Sequence, residues 1–302
     1  MSELAKRILV AVVGAPIAVW IVLVGGAPLA ALLAVVSAIG AWEFYRIAQG
    51  AGSHPMADAG IALAGLVPLA IHANYLGVFT VRPAMAALVM LALLGSTIWL
   101  RGVDGRPLGA AAVTILGVLY TGGMLGFGYA IRYHDTVVGY DLVGASHIAL
   151  GPLSMRVPPG GVLLIFPLVI TWASDIGAYF VGRAIGGRKL IPTVSPGKTV
   201  AGAVGGLVAS MLVSYLYARD VLAPAAHLGF TPWGALLFGA IISVAAQIGD
   251  LFESLIKREG GVKDSSRIIP GHGGILDRFD SLIFVLPVAY LLLGWLPLPV
   301  FG

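Results

Sequence analysis

Six acids stand inside or at the ends of long apolar runs: Glu43, Asp175, Asp250, Glu253, Asp277 and Asp280. An ionisable group at membrane depth costs at least ~2.5 kcal/mol on insertion scales, so each requires a partner or a task. Asp250, Ser254 and Lys257 recur at i, i+4 and i+7, a spacing that stacks them on one helical face. Asp277 and Asp280, at i and i+3, share a face of a second helix. Carboxylates without thiols or clustered histidines suit a hard cation with oxygen ligands, most often Mg2+. Ion pairs such as Asp250 with Lys257 or Asp280 with Arg278 are the structural alternative. Beside a basic, glycine-rich loop, a metal site at Asp250, Asp277 and Asp280 is the better reading. Glu43 reads differently. It lies in Trp42-Glu43-Phe44-Tyr45-Arg46, among aromatic-belt residues and beside Arg46, so interfacial anchoring is expected.

Two stretches, 183–199 and 257–278, carry much of the chain's charge. Lys257, Arg258, Lys263, Arg267 and Arg278 offer donors to an anion, and Gly260-Gly261 and Gly271-His272-Gly273-Gly274 let backbone N–H groups approach it. Mg2+ with Arg and Lys around phosphate oxygens is the arrangement that phosphoryl or nucleotidyl transfer needs, because charge must be neutralised as the bond to phosphorus changes. His272 either holds a phosphate oxygen, relays a proton or is simply hydrogen-bonded in a turn. Ser195-Pro196-Gly197-Lys198-Thr199 is not a phosphate-binding loop of the Walker type, because Pro192 stands where that motif needs glycine and no strand precedes it. Lys198 can still serve as a point charge for phosphate.

The elements that hold these residues are membrane helices. Of 302 residues, 59% are hydrophobic and 11% charged, and the mean hydropathy is +0.97. That is too little polar residue to cover a water-soluble globule, whose charged fraction is about a quarter. The lack of cysteine excludes a disulfide scaffold, a thiolate metal site and a cysteine nucleophile. The expected class is all-α: a polytopic integral membrane protein with about nine transmembrane helices near 8–26, 27–48, 57–79, 82–100, 109–131, 161–182, 200–218, 233–256 and 279–298. The first two separate at Gly25-Gly26-Ala27-Pro28. The expected organisation is five helices in 1–131, an outer connecting loop in 132–160, and a catalytic region in 161–302. With Lys6 and Arg7 in the cytoplasm, fourteen of the eighteen Lys and Arg fall on the cytoplasmic side, and Arg82, Arg132, Arg156 and Arg219 fall outside.

The stretch SLIKREGGVKDSSRIIPGHGGILDRFD resembles the C-terminal signature of the phosphatidate cytidylyltransferases, the CDP-diacylglycerol synthases. The matching positions are Ser254, Lys257 and Arg258, then Lys263 and Asp264, then His272, Gly273, Gly274, Asp277, Arg278 and Asp280. A second stretch, from Ser174 to Gly202, is similar to the family as well. There the family usually shows Ser-Pro-Lys-Lys-Thr with an acid two residues on, whereas this chain has Gly197 and Ala201 and keeps Lys198 and Thr199.

The resemblance implies a reaction in which CTP and phosphatidate give CDP-diacylglycerol and pyrophosphate. It implies Mg2+, with a second cation, at Asp250, Asp277 and Asp280. Catalytic roles would fall on these three with Ser254, Lys257 and His272. Substrate contacts would fall on Asp175, Lys198, Thr199, Arg258, Lys263, Asp264, Arg267, Gly273, Gly274 and Arg278. The implied partners are CTP, phosphatidate, the lipid bilayer and a second copy of the chain as a homodimer, with no nucleic acid. The implied location is the inner cell membrane. Small-residue runs such as Gly202 to Gly206 suit close helix packing, between copies or within one. Two other classes fit the composition: a membrane enzyme such as a lipid kinase, and a cation or proton transporter. The latter should place its acids near the bilayer midplane, not beside basic loops at the span ends.

The charge asymmetry has a direct check. A reporter fused within 132–160 is expected to read outside and one within 258–276 cytoplasmic; both on one side would remove the nine-span count.

Overall fold

The computed structural model describes residues 10–78, 80–137, 146–150, 153–269 and 273–299. The chain is built almost entirely of helices. They are α1 (Ala15–Val24, entered by a π turn at Val10–Gly14), α2 (Gly26–Gly50), α3 (Ala57–Tyr75), α4 (Pro83–Leu100) and α5 (Pro107–Val118). A π turn at Leu119–Gly123 leads into α6 (Met124–Arg132). Then come α7 (Pro159–Ile185), α8 (Val200–Tyr217), a π turn at Ala218–Leu222, the short α9 (Ala223–Ala226), α10 (Pro232–Glu259) and α11 (Leu276–Leu293).

Proline opens α4, α5, α7 and α10, where its missing N–H leaves no helical bond unmade. Gly25 and Gly26, with φ of +70° and +54°, make the turn between α1 and α2 at the expected break. Three antiparallel strand pairs punctuate the helices: β1 (Ser146–Leu150) with β2 (Leu153–Val157), β3 (Lys189–Ile191) with β4 (Ser195–Thr199), and β5 (Leu228–Gly229) with β6 (Leu298–Pro299). The stretches expected as plain loops at 132–160 and 183–199 thus each contain a hairpin.

Every expected span coincides with a helix. Seven helices among the described residues are long and apolar enough to cross a membrane. The two others are α1, which is short, and α11, whose first turns carry Asp277, Arg278 and Asp280.

The chain divides into two compact units. The first comprises Met1–Pro16, Gly26–Tyr129 and Glu253–Phe279; the second comprises Ile17–Gly25, Ala130–Phe252 and Asp280–Gly302. The signature segment therefore packs with the N-terminal helices.

In the first unit Tyr45 of α2 is wholly buried and donates its hydroxyl to the Thr114 carbonyl at 2.7 Å. Gly60 and Gly117 leave the room its ring occupies. In the second unit α7 and α8 meet along glycines. A Cβ on Gly206 would lie 2.8 Å from the Ser174 carbonyl oxygen, and one on Gly202 would lie 2.8 Å from that of Ala178. The Gly202–Gly206 run thus serves packing within one chain. Hydroxyls tie the same unit together, with Ser210 donating to the Ile170 carbonyl at 3.3 Å and Ser214 to that of Ala235 at 2.6 Å.

Because the obstacle at Gly206 is backbone, Gly206→Leu should cost roughly 1–3 kcal/mol. Thermal unfolding in detergent should show a lowered midpoint, while Gly95→Leu, with open space around its Cβ, should not.

Candidate active site

The first unit gathers its charges around Asp277 in the first turn of α11. Asp277 Oδ1 lies 2.7 Å from Lys257 Nζ. Asp277 Oδ2 accepts from the Ser265 amide at 3.0 Å and the Gly274 amide at 2.8 Å, and lies 3.0 Å from the Ser265 hydroxyl, whose single proton it shares with Glu43. Lys257 projects from α10 one turn after Glu253 and pairs with Glu253 Oε2 at 2.5 Å. Two carboxylates thus share one ammonium, and the second oxygen of the buried Glu253 has no donor among the described residues. Gly273 adopts φ +84°, where a side chain is strained, and a Cβ there would lie 2.7 Å from Asp277 Oδ2. A Cβ on Gly274 would overlap the Ser265 hydroxyl and Glu43.

Glu43 corrects the sequence-based expectation. It is not an interfacial anchor. Its side chain is completely buried and accepts four hydrogen bonds from the signature segment. Oε2 receives the Ser265 hydroxyl at 2.9 Å and the Leu276 amide at 2.6 Å. Oε1 receives the Ser266 hydroxyl at 2.5 Å and the Ile275 amide at 3.0 Å. The carboxylate therefore caps the N-terminus of α11 from another helix. Arg46, one turn further along α2, stacks over Trp42 at 4.8 Å.

Arg46, Lys263, Asp264 and Arg267 line a cavity of about 460 Å3 whose remaining wall includes Ser265 and Ser266. Three cations against one acid make it suited to an anion. Arg258 and Arg278 are exposed, and Ser254 is half-buried on α10. His272 lies outside the described residues.

The second unit holds a smaller cluster. Lys198, at the end of β4, lies 2.6 Å from Asp250 Oδ2 as an ion pair without an aligned hydrogen bond. Asp175 of α7 is within electrostatic reach of both. The Thr199 side chain caps α8, accepting from the Gly202 amide at 3.0 Å. Below them Ser174 and Ser243 share a hydrogen bond of 2.8 Å, and Gln247 donates to Ser243 at 3.1 Å. Gly249 brings α10 onto α11, since a Cβ there would lie 2.7 Å from the Asp280 carbonyl oxygen. Asp280 Oδ1 accepts its neighbouring Ser281 amide at 2.6 Å.

The ion pair Asp250–Lys257, weighed as the alternative to a metal site, is not made. Asp250 pairs with Lys198 and Lys257 with Glu253 and Asp277. Among the described residues, no group of three or more His, Asp or Glu side chains forms a closed metal-ligand set. The expected trio divides, with Asp277 in the first unit and Asp250 and Asp280 in the second.

Both clusters nevertheless carry two carboxylates to one lysine: Glu253 and Asp277 around Lys257, and Asp175 and Asp250 around Lys198. An all-oxygen, anion-rich donor set with an orphaned Glu253 oxygen fits a hard cation. Glu253 is the site residue that sequence reasoning left without a role, and Glu43 the one it placed in the wrong role. The i, i+4 step from Glu253 to Lys257 was the available signal for the first.

A family model described as the cytidylyltransferase family matches residues 5–296. The chain is similar to the phosphatidate cytidylyltransferase of Brucella suis biovar 1 (strain 1330), 42% identical over 153 residues, or 51% of this chain and 54% of that one. It is also similar to the proteins of the same name from Bacillus subtilis (strain 168), 44% identical over 135 residues (45% and 48% of the two chains), and from Staphylococcus saprophyticus, 48% over 130 residues (43% and 48%). The chain spans about half the length of the curated relatives it matches.

Removing the shared ammonium leaves two buried carboxylates facing each other. Lys257→Met should therefore cost roughly 3–5 kcal/mol in thermal or denaturant unfolding, and Glu253→Gln in the same chain should recover part of it.

Proposed function

Because the chain belongs to the cytidylyltransferase family, we propose that it transfers CMP from CTP to phosphatidate, giving CDP-diacylglycerol and pyrophosphate. What supports this reading is the cavity in which Arg46, Lys263 and Arg267 stand against one acid, on the segment whose Ser265 also bonds Asp277; its positive charge suits a polyphosphate. A phosphatidate phosphate oxygen attacks the α-phosphorus of CTP. The new P–O bond forms as the bond to the β-phosphate oxygen breaks, and pyrophosphate leaves with that oxygen's electron pair. The nucleophile belongs to the lipid, so the protein need supply none, in keeping with a chain that has no cysteine.

Catalysis then consists of positioning and charge neutralisation. Lys257, Lys263, Arg267 and Arg278 take up charge on the triphosphate and the departing pyrophosphate. Lys198, presented by the β3–β4 hairpin, meets phosphate oxygens as a point charge, and Thr199 holds the hairpin to α8. Mg2+ would be held at Asp277 in the first unit and a second cation at Asp250 and Asp280 in the second, and each would withdraw electron density from a phosphate. The protein would act as a homodimer in the inner membrane with its N-terminus in the cytoplasm, receiving phosphatidate from the bilayer and CTP from the cytosol.

Purified protein in detergent, given phosphatidate, Mg2+ and each nucleoside triphosphate in turn, is expected to release pyrophosphate with CTP. Release with ATP in place of CTP, or none with any nucleotide, would overturn the reading. In the same assay Asp280→Asn, nearly isosteric but uncharged, should lose about 100-fold or more in turnover with the fold intact, since each ~1.4 kcal/mol is tenfold. Asp250→Asn should behave alike, with partial rescue of either at raised Mg2+.

A further inference from the structure

We infer that Glu43 of α2 is a positioning residue for the reaction: its carboxylate holds Ser265, Ser266, Ile275 and Leu276, and through Ser265 it sets the carboxylate of Asp277. The inference rests on the transfer reaction proposed above and adds an N-terminal helix to its machinery. Glu43 is 0% exposed, and it stands 222 residues from Ser265 and 233 from Leu276 in the chain.

The bonding pattern makes the carboxylate hard to replace. Each of its oxygens meets one hydroxyl and one backbone N–H: Ser266 and Ile275 at Oε1, Ser265 and Leu276 at Oε2. A hydroxyl can turn to accept instead of donate, but a backbone N–H cannot. A glutamine would therefore turn its NH2 group against a backbone N–H whichever way the amide was flipped. Only a carboxylate accepts from all four donors.

The link to chemistry is the Ser265 hydroxyl, which lies 2.9 Å from Glu43 Oε2 and 3.0 Å from Asp277 Oδ2. The Ser265 amide also donates to Asp277 at 3.0 Å. Asp277 in turn holds Lys257. Loosening Glu43 releases Ser265, and with it the placement of the Asp277–Lys257 pair. The cavity residues Lys263, Asp264 and Arg267 lie on the same short segment and depend on the same anchor. None of these contacts involves Glu43 with substrate, so its effect is on geometry and not on binding of the lipid.

The test measures kcat and KM for CTP and for phosphatidate in detergent, with thermal midpoint and amide exchange over 262–276. Glu43→Gln is expected to lower kcat about 100-fold, the scale of an ångström-size misplacement, with KM for phosphatidate within about threefold and faster exchange at residues 275 and 276. Glu43→Asp, which keeps an acceptor-only group on a shorter arm, should recover about tenfold of that loss. A kcat for Glu43→Gln within about threefold of wild type overturns the inference, as does a loss that Glu43→Asp shares in full. Should Glu43→Gln fail to fold, the Ser265→Ala/Ser266→Ala double variant removes both hydroxyl donors and leaves the two backbone bonds. It should lose about tenfold in kcat as a folded protein, and wild-type turnover there overturns the inference. A wild-type chain inactive with CTP and phosphatidate overturns the reaction and this inference together, whereas an active wild type with an indifferent Glu43→Gln overturns this inference alone.

Discussion

Among the described residues, Lys257 is the positive charge that Glu253 and Asp277 share, and the placement of both carboxylates depends on it. Three charged groups this poorly exposed cannot rely on water, so each must find its neutralising partners within the protein. Lys257 meets part of that need, and the amides of Ser265 and Gly274 turn towards Asp277, while the second oxygen of Glu253 has no donor among the described residues. The amides of Ser265 and Gly274 thus converge on one carboxylate in the first turn of α11. That convergence explains the two glycines. Gly273 must adopt φ +84°, and Gly274 must pass where any side chain would overlap Ser265 and Glu43. The Gly-Gly of the signature is thus a steric consequence of an electrostatic one.

The second unit solves a similar problem with different parts. Lys198 reaches Asp250 from a hairpin between two helices that pack closely because Gly202, Gly205 and Gly206 have no side chains. Close packing of α7 and α8 fixes the hairpin, and the Thr199 cap fixes the end that carries Lys198. Both clusters retain one carboxylate more than they have lysines. In both, the acids lie on long helices and the neighbouring segment carries lysine and arginine.

The helices were legible from hydropathy because the bilayer leaves no alternative for an apolar run of this length, and the turn at Gly25–Gly26 was legible because positive φ selects glycine. The charged residues that cluster stood out in the sequence, but their pairing did not. Helical periodicity placed Asp250, Ser254 and Lys257 on one face, whereas the partner that Lys257 takes on α10 is Glu253, and Asp250 is neutralised from the β3–β4 hairpin. Glu43 shows the reason most plainly. Its local neighbours, Trp42 and Arg46, read as an interfacial anchor, and Arg46 does stack on Trp42. Its actual partners lie more than two hundred residues away, and nothing in a 3.6-residue period reports a contact of that range.

The departures from the family pattern at Gly197 and Ala201 become intelligible on the same electrostatic terms. The resemblance places a lysine at the first position and an acid at the second, and this chain lacks both. One positive and one negative charge are lost together, so the balance of the segment is unchanged. Gly197 lies on the exposed strand β4 with nothing within 4 Å of a Cβ, so a side chain there packs against nothing and its removal leaves no cavity. Lys198 differs in kind, because it is half-buried against Asp250 and its loss would leave that carboxylate and Asp175 without a cation. The residue retained is the one whose charge the surrounding acids require.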